Sequence, residues 1–203
     1  MQVIDTLLPE VKLIRPKRHR NPRGVFAETY SEAVLAAFGI TAQFVQDNHS
    51  ISLRAGTVCG LHFQIPPFAQ AKLVRVVRGA VFDVAVDLRR GSPTFGRHVA
   101  AILTAADWSM PFIPEGFAHD FCTLADDTEV VYKASAPYAP THDRGIFWAD
   151  PDLAIDWPVA EEAAILSEKD RRQPRLAELA DWFHHSPPAG PERRGDERPA
   201  HAG

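Results

Sequence analysis

The chain has 203 residues, 45% of them hydrophobic and 24% charged, and a formal net charge of −4. This is enough for one domain with a substantial core, and gives no basic face for nucleic acid. No run of about 18 apolar residues occurs, so no membrane span is expected. The N-terminal MQVIDTLLPEVKLIRPKRHR lacks the order of a secretion signal. The two cysteines, Cys59 and Cys122, make neither a disulfide framework nor a close metal-ligand pair, so a reducing cytoplasm is expected.

In chain order, Lys17, Arg18, His19 and Arg20 form a basic cluster that reads as a solvated loop. Glu32 to Phe38 is alanine-rich and stops at Gly39, which predicts a short helix with a glycine cap. Val45-Gln46-Asp47-Asn48-His49-Ser50 is dense in amides and hydroxyls within what should be a strand. Amides suit a planar base or a sugar, although a polar strand edge has the same composition. Lys72 to Arg78 is β-branched and ends at Gly79, predicting a strand and a tight turn. From Val81 to Leu88, the apolar Phe82, Val84, Val86 and Leu88 alternate with Asp83, Ala85 and Asp87, the pattern of a half-buried strand.

After a break at Gly91-Ser92-Pro93, an apolar run resumes from His98 to Leu103. Thr128 to Lys133 alternates too, with Thr128, Val130 and Tyr132 on one face. Pro174 to Phe183 reads as a short C-terminal helix. From Ser186 on, no apolar periodicity remains, so a disordered polar tail is expected over residues 184–203, behind a domain spanning residues 1–183. Short strands at regular spacing, with Gly and Pro turns between them, predict an all-β antiparallel sandwich or barrel with a few peripheral short helices.

Two further segments carry candidate chemistry. His62 sits between apolar neighbours at a strand-like position ahead of Pro66-Pro67. Read alone it is a core or surface histidine, and it becomes a base only if a carboxylate orients one ring nitrogen and leaves the other free. Pro114-Glu115-Gly116-Phe117-Ala118-His119 matches the second half of the cupin motif, in which a turn delivers a histidine into a barrel mouth. The H-x-H pair of metal-binding cupins is absent, since the chain reads His62-Phe63-Gln64. Too few imidazole and carboxylate ligands remain for a divalent ion, so no metal is expected. Leu166-Ser167-Glu168-Lys169-Asp170-Arg171, read alone, is a charged loop or helix start.

Taken in order, these strings resemble the dTDP-4-dehydrorhamnose 3,5-epimerases. The match runs through Arg23-Gly24-Val25-Phe26-x-Glu28, Val45 to Ser50, Gly60-Leu61-His62-Phe63-Gln64, Ala71 to Arg75, Val77 to Asp87 and Gly91 to Gly96. It continues with Pro114 to His119, Tyr132-Lys133, Asp150-Pro151, Ile155 to Pro158 and Leu166 to Asp170, covering residues 1–183. The resemblance implies a cupin-type jelly-roll β-barrel, a homodimer whose N-terminal residues reach the partner's site, and cofactor-free epimerisation of a dTDP-4-keto-6-deoxyhexose. It further implies His62 as the base, oriented by Asp170, with Lys72 steadying the enolate oxygen and Tyr132 as the acid on the opposite face. Gln46, Asn48, Arg23, Phe26 and Glu28 would hold the nucleotide, with Tyr138 on the thymine and His119 and Lys169 along the sugar diphosphate. Asp143 stands where the family usually has glutamate.

The chemistry agrees with these residue types. A proton next to a ketone is acidic because the anion spreads onto oxygen, and a cation aimed at that oxygen lowers the barrier. Removing the proton on one ring face and returning it on the other inverts the carbon without a nicotinamide or a metal. Two positions depart from the family. Cys59 replaces the arginine that precedes Gly-Leu-His, and Asp120 replaces a glycine after His119. A thiol cannot form a bidentate charged contact. A carboxylate at 120 is expected to raise the pKa of His119 and repel a diphosphate. These departures keep two alternatives open: a catalytically weakened nucleotide-sugar-binding protein, and a monoepimerase. The half-motif at Pro114 to His119 leaves a metal-dependent cupin as a third.

Overall fold

The computed structural model describes residues 1–185, and the expected tail lies outside them from Ser186 onward. The chain forms β1 (Gln2–Asp5), β2 (Lys12–Arg15), β3 (His19–Asn21), β4 (Gly24–Phe26), α1 (Glu32–Ala36), β5 (Gln46–Ser52) and β6 (His62–Gln64). It continues with β7 (Lys72–Arg78), β8 (Ala80–Asp87), β9 (His98–Thr104), β10 (Met110–Ile113), β11 (Phe117–Thr123), β12 (Thr128–Ala134) and β13 (Asp143–Gly145). Two antiparallel sheets, in the orders β1-β2-β10-β7-β12-β5 and β13-β6-β11-β8-β9, make the body, and β3 and β4 pair as a separate hairpin. No described helix is long and apolar enough to cross a membrane.

The interior between the sheets is filled by Val74, Val76, Val81, Ala85, Phe117, Phe121 and Val130, closed at one end by Leu8 and Val11. A second apolar layer lies on the other side of the five-stranded sheet, where Val84, Val86 and Ala118 meet Ile146, Leu153 and Leu176. Full burial of one such side chain contributes about 1.5–3 kcal/mol relative to exposure. Between the two layers β8 is buried on both faces, which corrects the half-buried reading. Asp83 is 4% exposed and Asp87 fully enclosed. Asp87 is satisfied by Arg89, Ser92 and Thr94, and Arg89 also meets Glu10.

A helix forms at Glu32 but ends at Ala36, and the chain turns out of it through Gly39 with φ +80°, where Ile40 N–H returns to Leu35 O. The C-terminal helix does not form. Only one 3-10 turn, Leu176–Glu178, occurs in that stretch. Leu176 is buried against the sheet, and Trp182 and Phe183 pack on Phe63, so the segment runs over the sheet to cover it. His184 bridges to Arg90, and His185 N–H donates to Arg90 O.

Candidate active site

Alternation along the strands turns a set of polar side chains toward the barrel interior. His119 of β11 is the cross-strand partner of His62 on β6, so the five-stranded sheet presents two imidazoles side by side. From the opposite sheet β7 begins with Lys72, and β12 contributes Tyr132, which packs on the interior apolar cluster. The approach to His62 depends on Gly60. Its φ is +143°, and a Cβ there would stand 2.6 Å from His62 Nδ1, so the chain turns this close to the ring only without a side chain.

His62 Nε2 donates to Asp170 Oδ1 at 2.7 Å. Ser167 Oγ donates to Asp170 Oδ2 at 2.6 Å, and Asp170 N–H in turn donates to Ser167 Oγ. Burial opposes ionisation of Asp170, but the hydrogen bonds from His62 and Ser167 outweigh it and hold the carboxyl below its ordinary value. With the Nε2 proton committed to that carboxylate, Nδ1 carries the lone pair of the neutral ring and makes no hydrogen bond among the described residues. The pair has the arrangement of a base with an orienting carboxylate. The Lys72 ammonium donates to the carbonyl of His62 at 3.3 Å. Burial pulls its pKa down to about 8. The Tyr132 phenol is pushed up, first by burial and then by Cys59 and Asp143, so it keeps its proton.

His119 Nε2 meets Asp83 Oδ2 at 2.8 Å, both groups almost fully enclosed. Asp83 was hidden from sequence reasoning, because period two assigned it to the polar face of a half-buried strand. Ser167 was missed as well; its only signal is its place three residues before Asp170. At the mouth, Gln46 Nε2 donates to Asn48 Oδ1 at 2.8 Å, and Gln46 Oε1 accepts the N–H of Tyr138 at 2.9 Å. Tyr138 Oη donates to Asp143 Oδ2 at 3.0 Å, and Lys169 pairs with the same oxygen. Asp143 thus ties the exposed Tyr138 ring to Lys169, the residue beside Asp170.

Cys59 lies next to this set. Its thiol is pushed well up by burial and stays neutral. The expected effect of Asp120 on His119 is corrected. The carboxyl beside His119 is Asp83, and burial lowers the imidazole's pKa in spite of it. Asp120 alternates to the other face of β11 from His119, and burial raises its own pKa well above the ordinary value. Arg23, Phe26 and Glu28 are not brought to the site. They stand exposed on and after the β3–β4 hairpin, and Phe26 is 70% exposed. Among the described residues, no three His, Cys, Asp or Glu side chains converge as a metal site.

The family model described as dTDP-4-dehydrorhamnose 3,5-epimerase matches residues 5–178. The chain is 49% identical over 178 residues to the dTDP-4-dehydrorhamnose 3,5-epimerase of Sinorhizobium fredii, covering 88% of this chain and 91% of the relative. It is 41% identical over 169 residues to the dTDP-4-dehydrorhamnose 3-epimerase of Streptomyces niveus, covering 83% and 80%. The crystal structure of dTDP-6-deoxy-D-glucose-3,5-epimerase from Legionella pneumophila, in complex with dTDP-4-keto-L-rhamnose, superposes with a TM-score of 0.85 at 40% identity. It covers 91% of this chain and 98% of that one.

Proposed function

The chain belongs to the dTDP-4-dehydrorhamnose 3,5-epimerase family, and we propose that His62, Asp170, Lys72 and Tyr132 carry its reaction. The protein is an isomerase of the dTDP-sugar pathway that acts on a dTDP-4-keto-6-deoxyhexose. The observation that carries the residue assignment is the 2.7 Å bond from His62 Nε2 to Asp170, with Lys72 anchored at the carbonyl of the same histidine. His62 Nδ1 takes the proton from the carbon next to the C4 ketone, and the electron pair moves onto the ketone oxygen. Asp170 holds the ring and stabilises the imidazolium that forms. The Lys72 ammonium compensates the enolate oxygen, an interaction stronger in the transition state than in the ground state. Tyr132 then delivers its proton to the same carbon from the opposite sheet, which inverts the centre. Bulk solvent restores both groups.

Gln46 and Asn48 would hold the nucleotide, Tyr138 would stack on the base, and His119, Lys169 and Asp143 would border the sugar diphosphate, with Cys59 beside it. Arg23, Phe26 and Glu28 fit a homodimer in which the β3–β4 hairpin completes the site of the partner subunit. Support for this reading is the exposure of that hairpin in the single chain. The likeness to a 3-epimerase favours inversion at C3 alone as a second reading.

One experiment separates these. The protein is incubated with dTDP-4-keto-6-deoxyglucose in D2O, and NMR follows C3 and C5. Wild type is expected to incorporate deuterium at both carbons, and incorporation at C3 alone selects the second reading. His62→Asn is expected to lose about 10²–10⁴-fold in exchange. Tyr132→Phe is expected to retain exchange while inversion falls. Full exchange in His62→Asn removes His62 from the role of base.

A further inference from the structure

Among the described residues four buried side-chain polar atoms lack a partner, and only one of them belongs to an acid, Asp120 Oδ2. Asp120 is 2% exposed. Its Oδ1 is fully engaged, accepting the backbone N–H of Cys59 at 3.1 Å and of Phe121 at 2.5 Å. The ionisable groups that face it are Lys72 from β7, Asp170 from the turn behind His62, Cys59, and Cys122 of its own strand. None of them forms an ion pair or a hydrogen bond with Oδ2. An ionised carboxyl here would enclose a charge with one oxygen unmet, next to the negative Asp170. A carboxylic acid with its proton on Oδ2 avoids the charge. Burial drives the group the same way.

The group that Oδ1 holds gives this arrangement its consequence. Cys59 opens the run Cys59-Gly60-Leu61-His62 that delivers the base. Strand β11 grips the stretch from Val58 to His62 at three points: Cys122 bridges to Val58, Asp120 takes the Cys59 N–H, and His119 pairs with His62. Between the last two lies Gly60, whose missing side chain leaves the backbone few restraints of its own. The two departures from the family, Cys59 and Asp120, are therefore in direct contact.

We propose that Asp120 is a positioning residue for the epimerisation, a neutral carboxylic acid whose Oδ1 fixes the Cys59 backbone and so sets the His62 ring against the substrate. Its neutrality keeps the Lys72 ammonium available to the enolate oxygen instead of to a carboxylate. The proposal rests on the reading of His62 as base.

Two variants and one spectrum test it. Asp120→Ala removes the acceptor, and kcat is expected to fall about 10- to 100-fold with KM within about 2-fold of wild type, the signature of a misplaced base. Asp120→Asn keeps an oxygen for the Cys59 N–H and carries no charge, so it is expected to restore kcat to within about 3-fold of wild type. The infrared difference between wild type and Asp120→Asn at pH 7 is expected to contain a protonated-carboxyl C=O band that shifts in D2O. Carboxylate bands in its place overturn the neutral acid. Wild-type kcat in Asp120→Ala, or an Asp120→Asn as slow as Asp120→Ala, overturns the positioning role. The spectrum does not depend on His62, so failure of the base assignment and failure of this proposal are read separately. Should Asp120→Ala not fold, the spectrum and the kcat of Asp120→Asn decide the matter.

Discussion

Lys72 is the residue whose charge the proposed mechanism needs most and whose burial opposes that charge most. Its ammonium has one hydrogen bond, to the His62 carbonyl, and a pKa drawn down to about 8. In the proposed mechanism the protonated form stabilises the enolate, so kcat/KM, which reports the free enzyme, is expected to fall as pH rises through about 8. Lys72→Arg is expected to move that alkaline limb to higher pH at a lower maximal rate, because arginine stays charged but presents a fork where a point charge is wanted. A pH–rate profile of both proteins checks this, and an unmoved limb assigns the ionisation to another group. How much of the site could be read from sequence also depends on single residues. His62 looked like an ordinary strand histidine until the ordered set of strings pointed to Asp170, which lies 2.7 Å from it in the fold. Asp83 stayed hidden because periodicity locates faces but does not reveal that both faces of a strand are covered. Asp120 was legible as a departure and misread in effect, since sequence adjacency to His119 places it on the opposite face of the strand.

At the scale of elements, most of the longer strands were legible, Phe117–Thr123 excepted, and the shortest were not. Lys72–Arg78, Ala80–Asp87, His98–Thr104 and Thr128–Ala134 each carry enough β-branched or alternating residues to show their period. Strands of three or four residues such as His62–Gln64 and Asp143–Gly145 are too short for a period and exist by pairing. The segment from Pro174 to Phe183 failed as a helix because apolar side chains that suit a helical face suit a covering strap equally well, and packing decided. Strand β8 carries an acid test of its own. Burial opposes the charge on Asp87, but Arg89, Ser92 and Thr94 outweigh it and hold the carboxyl below its ordinary value. A depressed folded pKa gives stability that is present above the unfolded value, about 3.9, and is lost as pH falls through the folded one. Asp87→Asn is therefore expected to cost about 3 kcal/mol in urea unfolding at pH 7 by leaving Arg89 partly unpaired. The gap to wild type is expected to narrow below about pH 4. A gap independent of pH makes the contribution one of packing.

For the whole molecule, the site inside one barrel is well formed, yet three residues assigned to the nucleotide stand on an exposed hairpin. Sedimentation is expected to find a particle of twice the 22.5 kDa chain mass. Phe26→Ser is expected to raise KM for the dTDP-sugar about 10-fold with little change in kcat, as loss of uniform binding does; a monomer with undiminished activity separates the hairpin from the site. Strand order carries one more consequence. Ile14 pairs with Met110, Gln46 with Ala134, and Gln64 with Asp143. Both sheets are thus woven from the two halves of the chain, and a cut anywhere between β6 and β12 divides them both. Loop closures this long are slow, because their entropy is lost before any contact repays it. During synthesis the ribosome must release β11 before β6 can join its sheet, so the first apolar strands wait in the open. The weave that brings His62 against a strand made much later is also what exposes the nascent chain to aggregation, and a split version of this enzyme would recover activity only when its fragments fold together.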